Sequence, residues 1–132
     1  MGNSISNIKR ITYREIQNNY ISTNSNYILI NTLSDNEQDC LINNTVTSNN
    51  EIKEINKVIK NKNMKSINIC IYGQNYNDER IITQYNKLKL LGFKNISIYP
   101  GGMFEWLCLQ EIYGDELFPT TTHVLDILKY EP

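Results

Sequence analysis

The chain has 132 residues, with 13 Lys and Arg against 14 Asp and Glu, and a formal net charge of -1. That length implies one domain able to bury ~68% of the surface its unfolded chain exposes. Hydrophobic residues make up 40% and charged residues 20%, a mix that excludes wholesale disorder. The near-neutral charge argues against a dedicated nucleic-acid binder, which needs a basic excess or stripe. No apolar run approaches the ~18 residues of a membrane span. Asn and Ile occur 20 times each and Ala never. Scattered Asn without a long tract reads as codon bias in an A+T-rich genome, not as a prion-like segment. Without Ala, the best helix former, packing and capping must hold the helices.

At the amino terminus, Met1-Gly2-Asn3-Ser4-Ile5-Ser6 fits the N-myristoylation pattern, with Gly2 as the acylated residue. Residues 1–7 are expected to be a flexible N-terminus and residues 8–132 one domain. A single myristoyl chain binds membrane with only roughly 10⁴ M⁻¹, so a second signal is needed. The weak basic cluster of Lys9, Arg10 and Arg14 would help supply it.

Residues 8–11 predict a short strand. Thr12-Tyr13-Arg14-Glu15 has capping-box spacing and predicts a short helix to about residue 19. The apolar run Tyr27-Ile28-Leu29-Ile30-Asn31 predicts a buried strand, and residues 45–47 a brief one. From residue 51, Ile52, Ile55, Val58 and Ile59 recur at helical spacing. Residues 66–72 predict a strand with Ile67, Ile69 and Ile71 on one face and Cys70 on the other. Asn77 or Asp78 would cap a helix whose apolar face is Ile81, Ile82, Tyr85, Leu88 and Leu91, closed by Gly92. A strand over 96–99 follows. Gly101-Gly102 then turns the chain into a helix carrying Trp106, Leu107, Leu109 and Ile112. Both glycines are expected in backbone conformations closed to other residues. A last helix is predicted over 124–129.

This alternation predicts an α/β fold with a mostly parallel central sheet flanked by helices. Ligand crevices in such sheets lie beyond the carboxyl ends of the strands, which directs attention to the turn after Tyr72.

Cys40, Cys70 and Cys108 lie far apart with no C-x-x-C, so reduced thiols and a cytoplasmic setting are expected. His123 is the single histidine and reads as an ordinary, partly exposed side chain. No metal or cofactor is expected.

The stretch from Ser66 to Trp106 resembles the second half of a rhodanese-like domain. Leu88-Lys89-Leu90-Leu91-Gly92-Phe93 matches that family's L-x-x-x-G-[FY] helix end. Gly101-Gly102-Met103-Phe104-Glu105-Trp106 matches its G-G-x-x-x-W, nine residues on. Residues 27–33 resemble its first core strand, so the likeness covers roughly residues 8–110. The segment from Phe104 through Thr121 is similar to an atypical subgroup of protists and large DNA viruses. The resemblance implies a three-layer rhodanese-like fold. Its active-site loop curls successive N–H groups over a helix N-terminus, around a cysteine that carries a persulfide.

The chain departs from that pattern at the chemistry. In the family's register Gly73 takes the nucleophile position, and the loop reads Gly73-Gln74-Asn75-Tyr76-Asn77-Asp78-Glu79-Arg80. Cys70, the fallback nucleophile, falls three residues early, within the strand. Asp78 and Glu79 at the helix entrance would complement its dipole and repel thiosulfate or phosphate. A phosphatase reading fails for want of C-x5-R. The family's strand Asp and Arg fall at about Asn31 and Leu33, and Cys40 stands near its histidine, so the ion pair that orients the loop is absent. The expected function is a catalytically inactive domain, a pseudoenzyme. It would bind an unidentified protein partner or scaffold a complex, at a membrane surface if Gly2 is acylated, with no nucleic acid involved. Loop 73–80 with an exposed Tyr76 is the candidate recognition patch, unless the loop only caps a helix and the binding face lies elsewhere. The alternative is a thiosulfate-type sulfurtransferase using Cys70, Cys108 or Cys40. Trp106 and Phe104 read as core aromatics.

Overall fold

Alternating isoleucines decide the central strand. A computed structural model of the chain describes residues 8–61 and 63–132. Within it, strand β4 (Asn68–Tyr72) sends Ile69 and Ile71 to one face of the sheet and Cys70 and Tyr72 to the other, all fully buried. A strand buried on both faces needs partners on both sides, and parallel pairing with covering helices supplies them. The strands β1 (Lys9–Arg10), β2 (Tyr27–Asn31), β3 (Thr45–Val46), β4 and β5 (Asn95–Ile98) form one five-stranded sheet in the order β1-β5-β4-β2-β3. Every pair of neighbouring strands is parallel.

Helices α2 (Ser48–Lys60) and α3 (Arg80–Leu91) cover one face, where Ile55, Val58, Ile81, Tyr85 and Leu88 meet Ile30, Ile69 and Ile71. A side-chain hydrogen bond from Gln84 to Glu51 ties these two helices together. The other face is covered by α1 (Tyr13–Glu15), which continues as a wide turn over Ile16–Tyr20, by α4 (Gly102–Tyr113) and by the C-terminal segment. Trp106 is fully buried there, edge-on to Tyr99 and Phe118, while Phe104 packs at the margin. The result is the expected three-layer α/β architecture with a parallel central sheet. Burying each such large side chain contributes about 1.5–3 kcal/mol.

Several local expectations change. The Thr12–Glu15 capping box does not form; Thr12 makes no side-chain cap bond. A reciprocal cap appears instead at Ser34, whose backbone N–H and hydroxyl both donate to Glu37, around the 3₁₀ turn Asp35–Glu37. Helix α2 starts at Ser48, three residues early, because its first turn is polar and carries no apolar periodicity. Leu91 and Ile112, placed on apolar faces by spacing, are exposed. The helix expected over 124–129 is only a 3₁₀ turn, Ile127–Tyr130. The preceding chain is drawn out by bonds to the early loop, Asn43 N–H to the Pro119 carbonyl (3.0 Å) and Thr121 N–H to the Leu41 carbonyl (2.9 Å). Gly92 closes α3 in the left-handed region (φ 108°), as expected.

Candidate functional site

The loop after β4 is shaped by its own carboxylate. Tyr72 ends the strand fully buried, its hydroxyl accepting the Ile42 N–H (3.0 Å) and bonding the Thr45 hydroxyl (2.9 Å). The chain then turns at buried Gly73, and the start of α4 seizes it. Met103 N–H donates to the Gly73 carbonyl (3.0 Å) and Phe104 N–H to the Gln74 carbonyl (2.9 Å). The approach is close because Gly102 sits at φ 63°, where a Cβ would stand 2.5 Å from the Gly73 oxygen. Gly101 has φ -59°, an ordinary value, so the special backbone expected at both glycines belongs to Gly102 alone.

Inside this loop Asp78 takes the place of a ligand. Its Oδ2 accepts from the Thr32 hydroxyl (3.0 Å), the Gln74 N–H (3.2 Å) and Arg80 Nη2 (3.0 Å). Its Oδ1 accepts from the Arg80 N–H (3.0 Å) and Arg80 Nε (2.9 Å). The side chain is 4% exposed. Burial alone would raise its pKa. Hydrogen bonds from the Arg80 side chain, the Gln74 and Arg80 N–H groups and Thr32 outweigh that and hold the carboxyl below its usual range. The anchor of α3 is thus an Asx turn at Asp78, although Glu79 is formally its first flanking residue.

Gly73 faces that carboxylate. A Cβ on Gly73 would lie 2.6 Å from Thr32 Oγ1 and closer still to Asp78 Oδ2. The N–H groups of Gln74 and Arg80 and the Arg80 guanidinium, which could help cradle an exogenous anion, are spent on an internal one.

The remaining loop residues divide by role. Asn75 is buried; its Nδ2 donates to the Tyr130 carbonyl (2.7 Å) and its Oδ1 accepts the Asn77 N–H (2.8 Å). Gln74 Nε2 donates to Glu37 Oε2 (3.0 Å). Burial pushes the Glu37 pKa up, but bonds from Ser34 and Gln74 and the nearby Arg80 charge bring it net below the usual range. Tyr76 projects to solvent at 69% exposure. Glu79 and Arg80 lie at the open rim.

At the position expected for a family Asp, Asn31 forms a reciprocal amide pair with Gln38. Asn31 Nδ2 donates to Gln38 Oε1 (3.1 Å), and Gln38 Nε2 donates to Asn31 Oδ1 (2.9 Å). Asn31 Oδ1 also takes the Leu33 N–H (2.9 Å), and Leu33 is a buried core residue. The pair is neutral, so its burial costs less than burial of an ion pair at the same place.

No thiol enters the loop. Cys70 is fully enclosed in the sheet core, and burial pushes its thiol far up, which keeps it a thiol. Cys108 lies half-buried on α4, its pKa raised by burial and by Glu105. Cys40 is buried beneath the C-terminal segment, its thiol donating to the Thr122 carbonyl (3.3 Å). His123 is exposed, 3.4 Å from an Asp115 oxygen. Among the described residues, no group of three His, Cys, Asp or Glu side chains is arranged to hold a metal. No helix among them is long and apolar enough to cross a membrane. Gly2 and the acylation pattern lie outside the described residues.

Four contributors were not singled out in the sequence: Thr32, Glu37, Gln38 and Tyr130. Only Glu37 had a readable signal, the Ser34-x-x-Glu37 spacing.

No family model matches the chain, and no curated protein matches it. Among solved structures it is similar to the crystal structure of the Alr3790 protein from Anabaena sp. The two share 16% identity over 89% of this chain and 80% of that one, with a TM-score of 0.52. At that identity the likeness speaks for the fold alone.

Proposed function

We propose that this chain is a catalytically inactive rhodanese-like domain that binds a protein partner or scaffolds a complex. One observation carries the reading: Asp78 fills the loop at the carboxyl end of β4, with Gly73 where the family's nucleophile would stand. A loop that supplies its own anion has no room for a persulfide and no field to activate one. Exposed Tyr76 at the crest supports loop 73–80 as part of the recognition surface. Acylation of Gly2 would bring that surface to a membrane.

The test is a thiosulfate:cyanide sulfur-transfer assay on the wild type and the three Cys→Ser variants. No transfer above blank is expected in any of them. Cyanide-labile sulfur on Cys40, Cys70 or Cys108 would establish the sulfurtransferase instead. Proximity labelling in the native host, with Tyr76→Ser beside the wild type, tests the interaction surface. A labelled neighbour that is lost in the variant is the expected result. Intact mass from that host reads the lipid.

A further inference from the structure

Parallel strands put their amino ends on one edge of a sheet, and here that edge is basic. The register aligns Tyr27, Asn68 and Asn95 at the starts of β2, β4 and β5, and pairs Lys9 of β1 with Ser97. Helix α3 runs back toward this edge, and its last turn brings Lys89, Leu90 and Leu91 to it. A cleft of about 280 Å³ opens there, lined by Lys9, Lys89 and Lys94 among those strand starts. Lys65 stands close by, since its carbonyl accepts from the Asn95 side-chain amide (3.0 Å). All four lysines are exposed, and no ion pair among the described residues includes any of them. Among those residues, Glu15 is the one carboxylate that lines the cleft.

Carboxylates gather at the opposite edge, where Asp35, Glu37, Asp78 and Glu79 follow the carboxyl ends of β2 and β4. Glu111, Asp115 and Glu116 belong to a segment that lines a different groove, with Tyr13 and Gln17. The net charge of -1 thus hides a separation of charge across the sheet. The basic edge also carries apolar surface. Leu90 is 89% exposed and Leu91 48%, between Lys89 and Lys94. Single-stranded nucleic acid is held by cations together with aromatic stacking surfaces, and leucines supply none. A bilayer boundary takes both groups at once: apolar side chains enter the acyl region while lysines meet anionic headgroups. The position of the chain agrees. Ile8, where the described residues begin, is buried and precedes Lys9 at this edge. Gly2 is six residues upstream, within about 22 Å of Ile8 even at full extension.

We infer that the amino-end edge of the sheet docks on an anionic lipid bilayer. Leu90 and Leu91 enter its surface, and Lys9, Lys65, Lys89 and Lys94 meet the headgroups. Loop 73–80, at the opposite edge, then faces away from the lipid, where a protein partner can reach it. An acyl group on Gly2 belongs to the proposed function and would add to this contact, but the contact is made by the folded chain and does not rest on the reading of the loop.

The test is sedimentation of the full, non-acylated chain with vesicles of phosphatidylcholine, alone or with about 30% phosphatidylserine. Partition is expected to be at least about tenfold stronger onto the phosphatidylserine vesicles, and to fall steeply between about 50 and 500 mM salt. Lys89→Glu combined with Lys94→Glu should lower it at least about tenfold, and Leu90→Ser about fivefold. Melting temperatures should not change, because all three side chains are exposed. Lys129→Glu, beside Asn36 and Glu37 at the other edge, should leave partition as it is. Equal partition onto the two vesicles, indifference to salt or to the edge substitutions, or a comparable loss from Lys129→Glu overturns the assignment. The lipid and salt comparisons on the wild type decide it even where a variant folds poorly. Tighter binding of a labelled single-stranded oligonucleotide through the same lysines would give the edge to nucleic acid instead. Failure here with a silent sulfur-transfer assay and a Tyr76-dependent label removes only the lipid contact. Sulfur on a cysteine removes the inactive-scaffold reading, and the vesicle experiment still decides the edge.

Discussion

The Asp78 carboxylate occupies the volume into which a side chain on Gly73 would project. The two positions are therefore alternatives: either residue 73 is bare or residue 78 must move. Moving Asp78 breaks contacts to Thr32, Gln74 and Arg80 at once. Gly73→Ala is expected to lower stability by about 1–3 kcal/mol, the usual range for overpacking a filled site. In an Asp78→Ala background the same substitution should cost at least about 1 kcal/mol less, because the nearest obstructing atom is gone and Thr32 Oγ1, released from its bond to Asp78, can rotate away. Chemical denaturation of the four proteins of that cycle measures the coupling, and additive effects would refute the steric relationship.

Gly102 and Gly101 are neighbours with opposite tolerance. Gly102 combines φ 63° with a carbonyl 2.5 Å from its would-be Cβ, so neither the backbone nor the space accepts a side chain. Gly101 has a helical backbone, and the atoms nearest its would-be Cβ belong to the Glu105 side chain. Gly102→Ala should destabilise by more than about 2 kcal/mol, from left-handed strain together with displacement of loop 73–75. Gly101→Ala should cost less, since no left-handed strain is involved; the Glu105 carboxylate can swing aside at the expense of its bond from the Tyr99 hydroxyl, and only its Cβ, at 2.8 Å, asks for a backbone shift. Thermal melts of the two single variants give the comparison, and equal losses would count against it.

The strands and long helices were legible because burial imprints period. The alternation over Ile67, Ile69 and Ile71 and the helical recurrence over Ile55, Val58 and Ile59 are direct readings of which face meets the core, whereas Ile52, counted on the same face, is exposed. Gly92 was legible because a left-handed helix end has one favoured residue. The loop was legible as a departure from a pattern, since Gly73 and Asp78 stand in plain view in the sequence. What Asp78 does there was half visible. Its charge could be read, but its capture by Thr32 joins residues 46 apart and has no local signature. The C-terminal segment was illegible for the same reason. Its order comes from bonds to residues 39–43 and from Trp106 Nε1 donating to the Pro119 carbonyl (3.2 Å), none of which leaves a periodicity. Tyr130 thus lay just past the helix expected over 124–129, with no sign that its carbonyl would hold Asn75.

Tyr72 links the central strand to that early loop through one hydroxyl. The phenol is fully buried, accepts the Ile42 N–H and bonds the Thr45 hydroxyl. Tyr72→Phe leaves a buried N–H without its partner, a loss of about 1–3 kcal/mol. The consequence should also be local. Ile42 and Leu41 hold the C-terminal segment, so amide exchange at Ile42 and Thr121 is expected to accelerate more than exchange in α3. Uniform acceleration across the chain would mean that the hydroxyl contributes only to global stability.

Acid should loosen the loop before the sheet. Asp78 and Glu37 both have folded pKa values below their ordinary ones, so each binds protons more weakly folded than unfolded. Their contribution is complete above the unfolded carboxylate range, about pH 4, and is lost as pH falls through the lower folded values. Glu51 has the opposite sign. Burial raises its pKa against the hydrogen bond from Gln84 and the Lys87 charge, so it detracts from stability at neutral pH and ceases to do so on protonation. Asp78→Asn should therefore flatten the loss of stability below about pH 4, while Glu51→Gln should remove a shallow rise in stability as pH falls toward the carboxylate range. Denaturant titrations at several pH values between neutrality and about pH 3 read both slopes. If Asp78→Asn leaves the acid limb as steep as in the wild type, the carboxylate does not hold the loop in the way its bonds to Thr32, Gln74 and Arg80 require.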